Sequence, residues 1–256
     1  MGVRDTPGMP DSYEDADLAS LYDTINGWGP SDDFYLDLVM RADTVLDVGC
    51  GTGLLLKTAR DRGHRGRLVG LDPATGMLAQ ARTRDDVDWV QGDLSSVSFD
   101  GEFDLVFMTG HVFQIFTTDE QASAVLSAAH RALRPDGRLA FESLNPGPKP
   151  WRNWVPRNAS TYTAPDGTEF RVVHDIVWED GDLVHLTETY EGSRWPSPQV
   201  DQATMRFASA ERIDSLLAEN GFEVERRYGS WDRSPHTPTS KEVITVARPR
   251  PRPADH

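Results

Sequence analysis

The sequence predicts an α/β protein: a parallel sheet with helices on both faces, interrupted late in the chain by a small antiparallel β insertion. Three observations carry this. From Thr44 to Leu144, short apolar runs alternate with amphipathic ones, the pattern of strands buried on both faces and joined by helices. At Asn145 the alternation stops, and the Pro- and Trp-rich stretch "NPGPKPWRNWVPR" leads into strand-like runs around a tight turn. From about residue 207 a helical run and two more strands follow.

The elements are read in order. "SYEDADLASLYDTIN" spaces Leu18, Leu21, Tyr22 and Ile25 as a helix does, and "SDDFYLDLVMRA" repeats the pattern with Ser31 as its expected N-cap. "TVLDVG" is strand one, and Leu54 to Arg62 a helix ended by Gly63. "RLVGLD" and "VDWVQGD" are strands two and three, on either side of the helix "ATGMLAQARTR". "FDLVFMTG" is strand four; the helix "TDEQASAVLSAAHRALRP" is stopped by Pro135 and Gly137, and "GRLAFESL" is strand five. In the insertion, "TEFRVVHDIVWEDGDLVHLTETYEGS" reads as a hairpin turning at "EDGD", with "QVDQATMRFAS" as a further strand. "SAERIDSLLAENGF" is a helix closed by Asn220-Gly221, and "EVERRYGSW" and "KEVITVAR" are the last strands. The expected organisation is an N-terminal helical cap over 1–40, a core over 41–146 and 207–249, a β insertion over 147–206 and an unstructured tail over 250–256. Residues 1 to about 12 are also expected to be unstructured.

Composition narrows the function. Acidic residues outnumber basic ones 41 to 26, a formal charge of −15 over 256 residues, which disfavours nucleic acid and anionic membranes as partners. A small, neutral or cationic molecule fits better, although solubility alone also explains the charge. The single cysteine, Cys50, rules out an intrachain disulfide and a cysteine zinc site, and no metal is expected. No apolar run approaches the ~18 residues of a membrane span, and the polar N-terminus does not resemble a signal peptide, so a cytoplasmic enzyme is expected. Oligomeric state is left open, a homodimer included.

"VLDVGCGTG" carries the chemistry. Gly49, Gly51 and Gly53 lie where strand one turns into a helix, and glycine there lets a ligand approach the main chain. Such loops also bind nucleotides. Asp47 tilts the balance, because a diphosphate beside its carboxylate costs several kcal/mol, whereas a cationic head group is attracted. S-adenosylmethionine carries an ammonium and a sulfonium and no phosphate. Asp72 ends strand two, where an acid accepts from two ribose hydroxyls; Pro73 sets the next turn, and Met77 is placed to lie against an adenine. In "VQGDL", Gly92 precedes Asp93, whose carboxylate suits an adenine amine, and the Leu94 N–H suits a ring nitrogen. Each has a plainer alternative: a local cap for Asp47, a core methionine for Met77, a turn opener for Asp93. Acids at the ends of three successive strands are a more specific pattern than any one of them.

With "GLDPATGMLAQAR", "FDLVFMTGHVFQIF" and "HRALRPDGRLAFES" in order, the chain resembles the class I S-adenosylmethionine-dependent methyltransferases, strongly over about 40–145 and more weakly at the last helix and strands. The resemblance implies a Rossmann-like seven-stranded sheet whose last strand is antiparallel. It implies that Asp47 and the glycine loop face the methionine moiety, Asp72 the ribose and Asp93 the adenine. It places Cys50 inside the cofactor loop, where it reads as a small packing residue, and Thr109 and Gly110 beside the cofactor. Tyr22-Asp23 matches an N-terminal "YD" that folds over the cofactor in related enzymes. The end of strand four is where the family contacts substrate, so His111 is the candidate general base and Gln114 a candidate pocket residue. The insertion resembles in position the lid of methyltransferases acting on amino sugars and small amines. Its Trp151, Arg152, Trp154 and Trp195, together with Trp28 and Trp231, are candidate pocket walls. The expected activity is N- or O-methylation of a small molecule, helped mainly by alignment of the reactants. The alternatives are a non-catalytic S-adenosylmethionine-binding protein and a nicotinamide-dependent oxidoreductase.

Overall fold

The computed structural model describes residues 13–250; the readings for 1–12 and 251–256 lie outside the described residues. Two short helices, α1 (Ala16–Ala19) and α2 (Tyr22–Ile25), precede α3 (Pro30–Val39). Then come β1 (Thr44–Val48), α4 (Leu54–Asp61), β2 (Arg67–Asp72), α5 (Thr75–Ala81), β3 (Asp88–Gln91), β4 (Phe103–Met108), α6 (Asp119–Ala132) and β5 (Leu133–Leu144). The insertion holds β6 (Ser160–Thr163), β7 (Glu169–Asp180), β8 (Leu183–Gly192) and β9 (Gln199–Arg206). The chain closes with α7 (Ala210–Glu219), β10 (Phe222–Tyr228) and β11 (Glu242–Pro249).

Seven strands form one sheet in the order β10-β11-β5-β4-β1-β2-β3. The neighbours from β5 to β3 are parallel, and β11 runs antiparallel to β5 and β10. Alternate residues of β1 feed two cores. Val45 packs with Phe34, Tyr35 and Leu56, from α3 and α4. Leu46 and Val48 pack with Leu126 and Leu216, from α6 and α7. The chain winds outward from β1 to β3 and then returns to β4, so the order reverses between β1 and β4. Ligands of open α/β sheets bind outside the carboxyl ends at such a point.

The insertion is a second sheet, β6-β7-β8-β9, antiparallel throughout. Gly181, at φ 60, supplies the left-handed turn of the expected "EDGD" hairpin. Two side chains tie this sheet to the core. Arg206 on β9 bonds Asp182 at 2.7 Å and Asp119 at the start of α6 at 2.8 Å. Gln114 donates to the Arg206 carbonyl and accepts the Leu144 N–H, both at 3.0 Å. No helix among the described residues is long and apolar enough to cross a membrane.

Several elements differ from expectation. The first helix breaks in two, because Ala19 packs on Ala74 and Met77 of the core while Leu21 packs on Phe170, Val172 and Tyr190 of the insertion. One straight helix cannot serve both surfaces. Ser31 is not the cap of α3. Gly29 holds that place, its N–H donating to Asp32 at 2.8 Å, and Pro30 fits the first helical position. Helix α6 stops at Ala132, short of the expected Pro135, because a residue before proline is pushed out of helical geometry. Strand β6 was not foreseen, and β10 ends at Tyr228 rather than Trp231.

Candidate active site

The glycine loop leaves β1 in left-handed steps, with φ of 77° at Gly49, 54° at Gly51 and 74° at Gly53. A Cβ on Gly49 would lie 2.7 Å from Val112, and one on Gly53 2.3 Å from the Trp89 ring, so close packing excludes side chains at both. A Cβ on Gly51 would meet nothing within 4 Å: here the loop faces open space. Cys50 is half-buried, and burial pushes its thiol up, which suits packing rather than nucleophilic chemistry.

Beneath this loop Asp47 is 1% exposed, and its Oδ1 has no hydrogen-bond partner among the described residues. Burial, then the charges of Asp72 and Glu142, hold its carboxyl well above the usual range. A buried carboxyl pushed up by burial and by both of these neighbouring charges is one that a cation would relieve. Asp72 is tied to the loop, its Oδ2 accepting the Gly51 N–H and its Oδ1 the Ala74 N–H, both at 2.8 Å. Each oxygen keeps a lone pair for a hydroxyl. Pro73 follows, half-buried. Gly92, at φ 140, donates its N–H to the Asp72 carbonyl at 3.0 Å. Asp93 Oδ1 accepts from the N–H and hydroxyl of Ser95 and of Ser96 at 2.6–2.9 Å. Burial raises this carboxyl, but the serine bonds outweigh it and lower the pKa. Leu94 beside it is buried.

Helix α2 closes over the loop. Thr52 donates to Asp23 at 2.6 Å, and the Tyr22 hydroxyl lies 3.6 Å from where a Gly110 Cβ would stand. Past β4, Thr109 is half-buried and Gly110 exposed, and His111 has the left-handed φ of 62°, rare for a residue with a side chain. Its N–H donates to Glu142 Oε1 at 2.8 Å, and its Nε2 lies 3.2 Å from Glu242 Oε2. The other Glu142 oxygen accepts the Tyr35 hydroxyl. Burial pulls the His111 pKa down, but the Glu242 bond and the Glu142 and Glu242 charges outweigh it and raise the value.

A cavity of about 440 Å³ opens on this turn. Tyr13 and Tyr22 wall one side, Trp154 stands at the linker, and His174, Glu188 and Tyr190 reach down from the insertion. His174 Nε2 and Glu188 Oε1 are 3.3 Å apart.

Residues 45–137 match the family model described as a methyltransferase domain. The chain is 29% identical over 207 residues to the cypemycin N-terminal methyltransferase of a Streptomyces species, covering 79% of this chain and 82% of that one. The chain belongs to the class I S-adenosylmethionine-dependent methyltransferases. Solved structures of low identity share the fold. An S-adenosylmethionine-dependent methyltransferase from Clostridium acetobutylicum superposes with a TM-score of 0.73 at 16% identity, over 92% of this chain and 98% of that one. The sugar N-methyltransferase KedS8 from a Streptoalloteichus species gives 0.71 at 18%, over 98% and 99%.

In this methyltransferase the cradle fits its cofactor. The partnerless Asp47 oxygen suits the ammonium, and the open face of Gly51 leaves room for the ligand. Asp72 and Asp93 lie at the ends of the next two strands. Met77 sits elsewhere than expected: it is 2% exposed and packed against Ala19 and Ala74, beneath α1. Of the candidate pocket walls, only Trp154 lines the cavity. Trp151 is buried against Phe207, with ring centroids 4.3 Å apart, fastening the linker to the insertion. Trp195 packs on Phe170 and Tyr190, and Arg152 is exposed. Trp231 packs on Phe34 and Tyr35 behind the Glu142 network. Trp28 is 37% exposed and donates to Asp33 at 2.8 Å. Gln114 is buried as a bracket between core and insertion rather than facing a ligand.

Sequence reasoning missed Tyr35, Glu142, Glu242, His174 and Glu188. Glu142 had a signal: a carboxylate in the apolar run "RLAFESL" is the same anomaly that singled out Asp47. Glu242 in "KEVITVAR" is a fainter case, and nothing local marks the two residues of the insertion.

Proposed function

We propose that this methyltransferase acts on an amine nitrogen of a small molecule bound between the insertion and the carboxyl edge of the sheet. The observation that carries the reading is the cavity lining. It combines aromatic rings with Glu188 and the His111 turn, and no lysine or arginine lines it among the described residues. Such a wall attracts a cation through ring quadrupoles and a carboxylate, and sets no lysine or arginine against a carboxylate or phosphate. The formal charge of −15 favours the same class at long range. A relative named for N-terminal methylation and a fold neighbour named for sugar N-methylation support nitrogen over oxygen.

When bound, S-adenosylmethionine supplies an activated methyl; the acceptor's lone pair forms the N–C bond as the C–S bond breaks, and that bond's electron pair stays on sulfur. The chain's own part is to hold the reactants in line and exclude water, which accounts for most of the acceleration in such displacements. An amine that arrives as ammonium must first shed a proton, and His111 is the titratable group at the turn where the cavity meets Gly110.

The test is release of S-adenosylhomocysteine from a panel of Ala-Ala amide, glucosamine, tyramine, catechol and 4-hydroxybenzoate, with product analysis. Turnover confined to the amines, with the new methyl on nitrogen, is expected. Turnover of catechol or 4-hydroxybenzoate alone would overturn the nitrogen assignment.

A further inference from the structure

Two features of the His111 turn are not required by the fold. The first is its backbone: a histidine at φ 62° costs energy that glycine would avoid, and such strain concentrates where a side chain must be aimed. The turn is held by Glu142, whose two oxygens take the His111 N–H and the Tyr35 hydroxyl. Glu142 and Tyr35 are essentially inaccessible to solvent, so this brace is rigid. Tyr35 is fixed in turn by stacking on Phe107, with ring centroids 5.4 Å apart.

The second feature is the imidazole's partner. Glu242 is the first residue of β11, more than a hundred positions away in sequence, and 9% exposed. Its Oε2 faces His111 Nε2 at 3.2 Å. A carboxylate only accepts, so this contact requires the proton on Nε2. The neutral ring then has a bare Nδ1, and the His111 side chain, 29% exposed, is among those that line the cavity.

We propose that Glu242 is a positioning residue: it fixes His111 as the Nε2–H tautomer, so that Nδ1 is the atom that accepts the acceptor's proton, while Glu142 and Tyr35 hold the turn from which the ring projects. The logic is that of a base oriented by a carboxylate, here spread over α3, β4, β5 and β11. The proton passes from the substrate ammonium to Nδ1, leaving the nitrogen lone pair free and the imidazolium paired with Glu242. After methyl transfer the ring returns that proton to solvent. The charged and titratable groups around the ring are Glu142 from β5, Glu242 from β11, Tyr35 behind Glu142, Tyr22 across the cavity mouth, and His174 and Glu188 above. The proposal rests on the methyltransferase reading but is tested without turnover.

The experiment is an NMR titration of the full chain with S-adenosylhomocysteine bound, following the His111 ring carbons and nitrogens. The native protein is expected to show the Nε2–H tautomer. Glu242→Gln is expected to lower the His111 midpoint by at least about half a unit, roughly threefold in proton affinity, and to mix the tautomers. Glu242→Asp is expected to restore part of the shift. An Nδ1–H tautomer in the native protein, or a midpoint unchanged in a folded Glu242→Gln variant, would overturn the proposal. If Glu242→Gln does not fold, the native tautomer and the Glu242→Asp midpoint decide. Failure to bind S-adenosylhomocysteine at all would instead count against the methyltransferase reading.

Discussion

The proposed cofactor cradle takes Asp47, Gly51, Asp72 and Asp93 from one continuous stretch of fewer than fifty residues. The cavity proposed for the acceptor takes Tyr22, His111, Trp154 and Glu188 from four stretches scattered over most of the chain. In the first region each carboxylate lies at or near the end of a parallel strand, and the partners it has are local: Asp72 takes the N–H groups of Gly51 and Ala74, and Asp93 the N–H and hydroxyl groups of Ser95 and Ser96. In the second, placement depends on how the insertion and the N-terminal helices sit on the sheet. The cradle is therefore a local device that a sequence motif can specify. The cavity is a tertiary one, and only the packing of distant segments defines it.

The sharpest way to break this contrast is Asp47→Asn. If the cradle works through a buried carboxylate awaiting a cation, the variant loses a charge-assisted bond of about 2–3 kcal/mol, about 30- to 150-fold in S-adenosylmethionine affinity. The apoprotein should move the other way. Burial raises the folded-state pKa of Asp47 above its unfolded value, so the folded state binds that proton more tightly. The fold then loses stability as pH rises from the ordinary carboxylate range to the raised value. Asparagine removes that loss, so the variant melts higher than the native protein at neutral pH. Calorimetric titration and thermal denaturation read the two effects. A variant with unchanged affinity would mean that the cradle does not depend on charge.

Gln114→Leu probes the tertiary side. The substitution keeps the volume but strands the Leu144 N–H and the Arg206 carbonyl, both of which Gln114 satisfies at 3.0 Å. Each unmet buried group costs about 1–3 kcal/mol, so about 2–6 kcal/mol of stability is expected to go. The insertion loses a tether, so the KM for the acceptor rises, while cofactor affinity stays within about twofold because no cradle residue bonds Gln114. A matching loss of cofactor affinity would show that the two regions are coupled and that the contrast is too simple.

The same contrast explains what could be read in advance. Strand order through β5 follows from apolar runs alternating with helices, and Asp47 stood out because a charge interrupts such a run. The pairing of β11 between β5 and β10 came only through the family resemblance, since sequence order does not say where a returning strand inserts. In the insertion, the aromatic residues were visible but their directions were not. Trp151, Trp154 and Trp195 look alike in the sequence, yet only Trp154 faces the cavity: all three sit outside the strands, where packing against distant residues, Phe207 for Trp151 and Phe170 and Tyr190 for Trp195, sets the direction of the ring. Glu188 shares the cavity-facing side of β8 with Leu186 and Tyr190, two residues to either side, an alternation that has meaning only once the neighbouring surface is known. Gln114 shows the limit from the other side: its place beside the His111 turn suggested a ligand contact, and its two backbone bonds make it a joint.

The smallest expected effect comes from Trp28→Phe, which tests whether an aromatic residue next to α2 belongs to either region. The Trp28 ring is 37% exposed and its indole N–H donates to Asp33 at 2.8 Å, within the first turn of α3. Removing one exposed bond of this kind costs about 0.5–1 kcal/mol, and Asp33 keeps its favourable place at the positive end of the helix. The melting temperature of the variant is expected to fall by no more than about 2–4 °C, with S-adenosylmethionine affinity and acceptor KM unchanged. Because Tyr22, only six residues earlier, does line the cavity, a selective rise in acceptor KM in this variant would extend the cavity to Trp28. It would also show that the acceptor region reaches beyond the surfaces that now enclose it.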